Sequence, residues 1–245
     1  MYAGGPETVM SIAEHIRDVE ERIAGAAFRA GRNPREISLI AVTKTVPPDR
    51  IREAYDAGVR LFGENRVQEF ATKAQALADL KGTEWHMIGH LQSNKARAAT
   101  ELFHAVDSVD SLRLLERLNN VAKELGKRIP VLIEINIGGE QAKSGVGPDS
   151  SEFERMLAAS PSCEHLQIHG LMTVPPYNDD PEQSRPYFRR MGALRDEISS
   201  RKLPAVQLVT LSMGMSHDFE VAIEEGSTCV RVGTAIFGVR PKAGT

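Results

Sequence analysis

A lysine ends the apolar run Ile40-Ala41-Val42-Thr43-Lys44. An amine whose stem lies along an apolar wall is partly desolvated, which favours its neutral form and lets it attack a carbonyl as a Schiff-base nucleophile. The same position also suits a lysine that covers apolar surface with its stem and pairs its head with a nearby carboxylate. Two distant segments bear on the choice, Ser212-Met213-Gly214-Met215-Ser216 and Gly233-Thr234. Both offer small residues, hydroxyls and close backbone approach, as a cradle of N–H groups around a phosphate requires. Glycine and serine also serve turns for conformational reasons alone. Taken with Lys44, the two segments describe an amine facing a phosphate site. A ligand that uses both is a phosphorylated aldehyde, and pyridoxal 5′-phosphate is such a ligand.

Arg231 precedes Gly233 by two residues, so strand alternation puts both on one face. A guanidinium only donates hydrogen bonds, so opposite a pyridine nitrogen it would leave that nitrogen unprotonated and the ring a poor electron sink. The alternative partner for Arg231 is Glu64 or Asp107 at the same end of the molecule. Asn65 could hydrogen-bond a ligand's phenolic oxygen or cap the helix starting at Arg66. His90 could stack on a ring or be structural. Met172 could be cofactor wall or core. Asn136 could line the site or cap, and the polar, glycine-rich loop 138–145 could be a mobile lid or a surface turn. The histidines at 86, 104, 165, 169 and 217 show no metal-binding spacing. Cys163 and Cys229 are too far apart for a CxxC site and read as reduced core residues, so no metal is expected.

Eight short apolar runs carry these residues: 37–43, 60–63, 84–89, 104–109, 130–137, 167–174, 207–211 and 229–237. Amphipathic segments alternate with them, such as the stripe Leu112, Leu115, Leu118, Val121 and Ala122 that Gly126 stops. Val131-Leu132-Ile133-Glu134-Ile135-Asn136-Ile137 is apolar at most positions, as when both faces of a parallel sheet are covered. Eight βα units in this length predict an α/β fold of the (β/α)₈ TIM-barrel type, with the site at the C-terminal ends of the strands. A doubly wound sheet is second, because Lys44-Thr45-Val46-Pro47-Pro48 stands where GxGxxG would be needed. The spacing of Ile12, Ile16, Val19, Ile23 and Ala27 predicts an extra helix over 8–30, packed outside. The expected organisation is one domain over 1–245, with an N-terminal helical extension (1–36) and the barrel (37–240).

The 245 residues are 41% hydrophobic and 26% charged, enough for a sizeable core. Thirty basic against 33 acidic side chains give a net charge of −3, without the positive excess expected of a nucleic-acid or membrane-surface binder. With neither a signal-like start nor an apolar run of spanning length, a cytoplasmic protein is expected.

Six blocks together resemble the YggS/PROSC family of pyridoxal phosphate homeostasis proteins. They are 40–44, ending on Lys44; 62–69, opening Phe62-Gly63-Glu64-Asn65; 85–95, containing Gln92-Ser93-Asn94-Lys95; 169–173, His169-Gly170-Leu171-Met172-Thr173; 211–218, containing Ser212-Met213-Gly214-Met215-Ser216; and 230–238, containing Arg231-Val232-Gly233-Thr234. The resemblance implies one barrel of the alanine-racemase N-terminal type. It implies pyridoxal 5′-phosphate held as an internal aldimine on Lys44, with Ser212, Gly233 and Thr234 at the phosphate, Arg231 at the pyridine nitrogen, Asn65 beside the ring, and Met172 and Met213 also at the cofactor. The implied function is a carrier or buffer of the cofactor for vitamin B6 homeostasis, with cofactor-dependent apoenzymes as recipients and no firmly established catalysis. The rival is a low-activity amino-acid racemase. It needs a second acid–base group, and because the chain ends at Thr245, soon after the eighth strand, Tyr177 is the only tyrosine expected to approach. A triose-type sugar-phosphate enzyme would use the phosphate site but give Lys44 only an aldolase-like role.

Overall fold

The computed structural model describes residues 10–140 and 142–238. Helix α1 (Ile12–Arg29) precedes β1 (Ser38–Val42), α2 (Pro48–Asp56), β2 (Leu61–Glu64), α3 (Val67–Ala74), β3 (Glu84–Met87), α4 (Ala96–Leu102), β4 (Ala105–Val109) and α5 (Leu112–Glu124). Then come β5 (Ile129–Glu134), α6 (Ser151–Ala159), β6 (Leu166–Met172), α7 (Arg185–Ser200), β7 (Val206–Met215), α8 (Phe219–Glu224), β8 (Cys229–Val232) and α9 (Thr234–Phe237). All eight strands are parallel and follow one another around a closed barrel, with β1 paired to both β2 and β8. The TIM-barrel expectation holds, and each predicted strand is present.

Two strand boundaries differ most from expectation. The run predicted over 229–237 is strand only to Val232; Gly233 breaks it and Thr234–Phe237 form a helical turn. Apolar Ala235, Ile236 and Phe237 read equally well as strand by composition, and periodicity does not separate the two over so few residues. Conversely β7 runs on to Met215. Polar Ser212 and Gly214 look like loop in sequence, yet Ser212 is fully buried.

Local chemistry explains the element starts. Ser11 caps α1: its Oγ accepts the Glu14 N–H at 3.2 Å while the Glu14 carboxylate accepts the Ser11 N–H at 2.7 Å, a reciprocal capping box. Pro48 opens α2 at a position where its missing N–H leaves nothing unsatisfied. Ile12, Ile16, Val19, Ile23 and Ala27 are buried, so the predicted stripe is the packed face of α1. It packs mainly on α8 and α9. Arg22 reaches Glu220 at 2.7 Å, Arg29 reaches Glu224 at 2.7 Å, and His15 Nδ1 donates to the Ile236 carbonyl at 2.9 Å. The predicted start of this helix at residue 8, like residues 1–9 and 239–245 generally, lies outside the described residues. The main apolar layer lies between the barrel and its helices, built from residues such as Leu114, Leu118, Phe153, Phe188 and Phe219. Cys163 and Cys229 are both buried and free, and burial pushes the Cys229 thiol up to about 12.

Candidate functional site

At the C-terminal end of β1 the chain turns sharply. Thr43 is buried; its N–H donates to the Gly63 carbonyl at 2.9 Å and its Oγ1 to Glu64 Oε1 at 2.7 Å. The Val46 N–H donates back to the Thr43 carbonyl at 3.0 Å, closing a turn in which Thr45 adopts φ +62°. Lys44 sits in this turn, half-buried. It lines a cavity of about 220 Å³ together with Val42, Thr45, Gly233, Thr234 and Phe237. The amine expected from strand one and two of the residues expected at a phosphate therefore share one cavity.

The far wall is built where β7 and β8 end. The Gly233 and Ala235 N–H groups both converge on Ser216 Oγ, at 3.3 and 3.4 Å. Ser216 is held over them by the turn after β7, where Asp218 Oδ1 accepts the Met215 N–H at 2.7 Å. Gly214 makes that turn possible. It has φ +93°, and a Cβ there would lie 2.6 Å from the Ala222 side chain and 2.8 Å from the Phe219 backbone.

Arg231 lies beneath, inside the barrel and 4% exposed. Its Nη1 donates to Ser212 Oγ at 2.6 Å and its Nη2 to the Thr173 carbonyl at 2.9 Å. Thr173 Oγ1 in turn donates to the Ile135 carbonyl at 2.7 Å, so one belt of hydrogen bonds joins β8, β7 and the ends of β6 and β5. Neither Glu64 nor Asp107 bonds Arg231. Burial depresses the guanidinium's pKa, with the charges of Asp107, Glu134 and Asp218 working against it. Ser212 thus meets Arg231 directly, and its hydroxyl is one link in this belt.

Glu134, at the end of β5 and near enough to Arg231 to feel its charge, is a buried acid that the sequence reasoning passed over. It is 9% exposed and its Oε2 has no hydrogen-bond partner. Burial, reinforced by the negative charge of Asp110 and opposed by Arg231 and His90, pushes its carboxyl up to about 7. The available signal was one acid inside an otherwise apolar strand. Lys73 was also missed, because four residues after Glu69 it reads as half of an ordinary helix-surface pair. It is in fact buried against Glu64.

The remaining candidates are dispersed. Asn65 lines a different cavity, of about 250 Å³, with His90, Gln92 and Lys95, and Arg66 rather than Asn65 holds the cap position of α3. His90 Nδ1 lies 2.9 Å from Asp110 Oδ2 in an exposed pair. Met172 is buried at the end of β6. Met213 belongs to the apolar layer under the helices, so its side chain lies away from the Lys44 cavity. Asn136 anchors the 138–145 loop: its Nδ2 donates to the carbonyls of Glu140 and Lys143 at 2.8 and 3.3 Å, and its Oδ1 accepts the Glu140 N–H. Lys143 Nζ donates to the Pro175 carbonyl at 3.1 Å, so the described residues of this segment are tied to the barrel. Asp107, expected in the ring around the site, instead lines a cavity of about 360 Å³ at the other end of the barrel. There it accepts from His86 Nδ1 at 2.9 Å; burial alone would lower the His86 pKa, but Asp107 raises it. Among the described residues no group of three His, Cys, Asp or Glu could hold a metal ion, and no helix is long and apolar enough to cross a membrane.

Residues 28–241 match the family model of the alanine racemase N-terminal domain. Similar proteins include the pyridoxal phosphate homeostasis protein of Aquifex aeolicus, 45% identical over 94% of this chain and 99% of that protein. That of Escherichia coli strain K12 is 42% identical over 94% of this chain and 97% of its own length. Among solved structures, PipY of Synechococcus elongatus with pyridoxal phosphate bound superposes with a TM-score of 0.81 at 37% identity, covering 93% of this chain and 100% of that one. An alanine racemase of Clostridium difficile shares the fold, with a TM-score of 0.68 at 14% identity, and 58% of its length is matched.

Proposed function

The chain belongs to the alanine racemase N-terminal domain family, among the pyridoxal phosphate homeostasis proteins, and from that premise we propose that it binds pyridoxal 5′-phosphate and holds it covalently on Lys44. The observation that carries this reading is that Lys44, Gly233 and Thr234 line the same cavity. The residues present fit the group. The Lys44 amine shares the cavity with the Gly233 backbone and Thr234, and beside it the Ser216 hydroxyl, which accepts the Gly233 and Ala235 N–H groups, keeps its own proton to donate; hydroxyls of this kind suit a phosphate dianion.

The bound cofactor supplies an aldehyde carbon open to attack by an amine. Lys44 is the residue that would hold that carbon covalently, its neutral amine acting as the nucleophile. Thr234 and the Gly233 segment are the residues that would hold the phosphate end of the group. Ser212 acts through Arg231, which it holds in place. Arg231, buried and able only to donate, is the group we assign to the pyridine nitrogen. Asn65 is assigned a ring-side contact, and the backbone at Met213 and the side chain of Met172 a place around it.

We read the protein as a carrier or buffer of the cofactor, releasing it to apoenzymes, rather than as a racemase. Racemisation needs an acid–base group opposite Lys44, and Tyr177 is 76% exposed with its ring 5.7 Å from that of His217. The deciding experiment reduces the cofactor-loaded protein with borohydride and maps the labelled peptide. Label on Lys44, together with transfer of bound cofactor to an apoenzyme faster than from free cofactor at equal concentration, is expected. Label on Lys95 or Lys143 refutes the assignment.

A further inference from the structure

The turn that carries Lys44 is held from beneath by a buried ion cluster that the proposed function does not use. Lys73 of α3 places its Nζ 2.9 Å from the Thr43 carbonyl and 3.3 Å from the Val46 carbonyl, the two carbonyls that bracket Lys44 and Thr45. The same Nζ lies 2.8 Å from Glu64 Oε1 and 2.8 Å from Glu69 Oε1. An ammonium has three N–H donors and here faces four oxygens, so at least one donor is shared. Glu69 Oε1 also accepts the Thr45 N–H at 2.5 Å, and Glu64 Oε1 accepts the Thr43 hydroxyl at 2.7 Å. The backbone at residues 43, 45 and 46 is thereby fixed through one cation. Thr45 needs such support, because a β-branched residue at φ +62° is in a region L-residues rarely adopt.

A purely structural need would not favour this arrangement. Glu64 is fully buried and the Lys73 side chain is 8% exposed, and desolvating two charges costs more than burying apolar groups of the same size. Glu64 even retains a buried Oε2 with no hydrogen-bond partner, and burial pushes its carboxyl above the usual range. What the cluster supplies is a unique geometry for one short turn, and that turn bears the candidate nucleophile.

We propose that Lys73, acting with Glu64 and Glu69, is the positioning residue for Lys44: it clamps the turn so that the Lys44 amine meets a carbonyl carbon in the cavity shared with Gly233 and Thr234. The proposal rests on Lys44 being the amine that bonds the cofactor.

The test compares the intact protein with Lys73→Met, and with the charge-neutral pair Lys73→Met/Glu64→Gln in case the single change leaves Glu64 too costly to bury. Circular dichroism and thermal melting first establish folding. Three readouts follow: deuterium exchange of the peptide over 43–47 in cofactor-free protein, the rate of covalent bond formation with saturating pyridoxal 5′-phosphate, and the Kd of pyridoxine 5′-phosphate, which has the phosphate but no aldehyde. Exchange at the Thr45 amide faster by about tenfold, a bonding rate at least about tenfold slower, and a Kd changed by less than about twofold are expected. General structural damage would weaken both ligands together, and that outcome overturns the proposal. A label on Lys44 in the native protein with an unchanged bonding rate in the folded variants overturns the role of Lys73 alone. A label elsewhere in the native protein overturns the functional reading and this role with it.

Discussion

Glu134→Gln isolates the energetic consequence of a buried carboxyl near Arg231. The carboxyl titrates at about 7 in the folded protein against an ordinary value of 4.5, mainly because burial disfavours its charge. Below the ordinary value the folded and unfolded chains both carry the proton. As pH rises from there, the unfolded chain releases its proton while the folded chain retains it. The folded state then binds more protons, so stability falls with rising pH until the folded-state value is passed. At about 1.4 kcal/mol per pH unit, the separation corresponds to about 3 kcal/mol lost between pH 4.5 and pH 8. Glutamine has the same shape and no charge to bury. Glu134→Gln should therefore match the native protein near pH 5 and exceed it by up to about 3 kcal/mol at pH 8. Urea unfolding of cofactor-free protein at pH 5, 6, 7 and 8, followed by far-UV circular dichroism, measures the difference directly. A gap that is independent of pH, or that favours the native protein at pH 8, would refute the assignment of a protonated buried Glu134.

Three further outcomes are expected. Lys44→Ala should abolish the absorbance of the covalent adduct and leave at most exchangeable, phosphate-anchored cofactor, as read by a visible spectrum before and after dialysis. Thr234→Val removes a hydroxyl whose charge-assisted hydrogen bond to phosphate is worth about 1.5–3 kcal/mol, so it should weaken pyridoxal 5′-phosphate by about tenfold to a hundredfold; titration with pyridoxal, which has no phosphate, should change little, and equal loss for both would count against the phosphate role. Incubation with L-alanine or L-serine in deuterated water should give very slow Cα exchange and little D-enantiomer by mass spectrometry and chiral chromatography; turnover of about 1 s⁻¹ or faster, within the usual enzyme range, would overturn the carrier reading and make Tyr177 the first residue to replace.

The barrel was legible because eight buried strands and intervening helices leave two distinct periodicities in the sequence, and Lys44, Gly233 and Thr234 were legible because strand ends in such a barrel converge. Position along a strand was harder to read. Asp107 and Arg231 both look like residues at strand ends, yet Asp107 faces the opposite cavity. Its strand β4 is staggered against β5, with a register shift between Val106 and Val109 that no local pattern announces. Lys73 illustrates a second limit. Its spacing from Glu69 is that of a solvated ion pair, and only the packing of α3 under the β1 turn turns it into a buried clamp. Met213 shows a third, since neighbours in one glycine-containing segment lie on opposite faces of β7, Ser212 toward Arg231 and Met213 toward the helices.

The pairing of β1 with β8 has a consequence for assembly. Lys44 follows β1 and Gly233 and Thr234 follow β8, so the two walls of the proposed site are joined only where the first strand meets the eighth. The tie between α1 and the α8–α9 region, through Arg22, Arg29 and His15, joins the same early and late parts of the fold. A cofactor bound across this seam as proposed would act as a removable cross-link between β1 and β8, and ligand at about 100 times its Kd would add about 2.7 kcal/mol to the closed form. Cofactor occupancy would then oppose opening of this seam in particular.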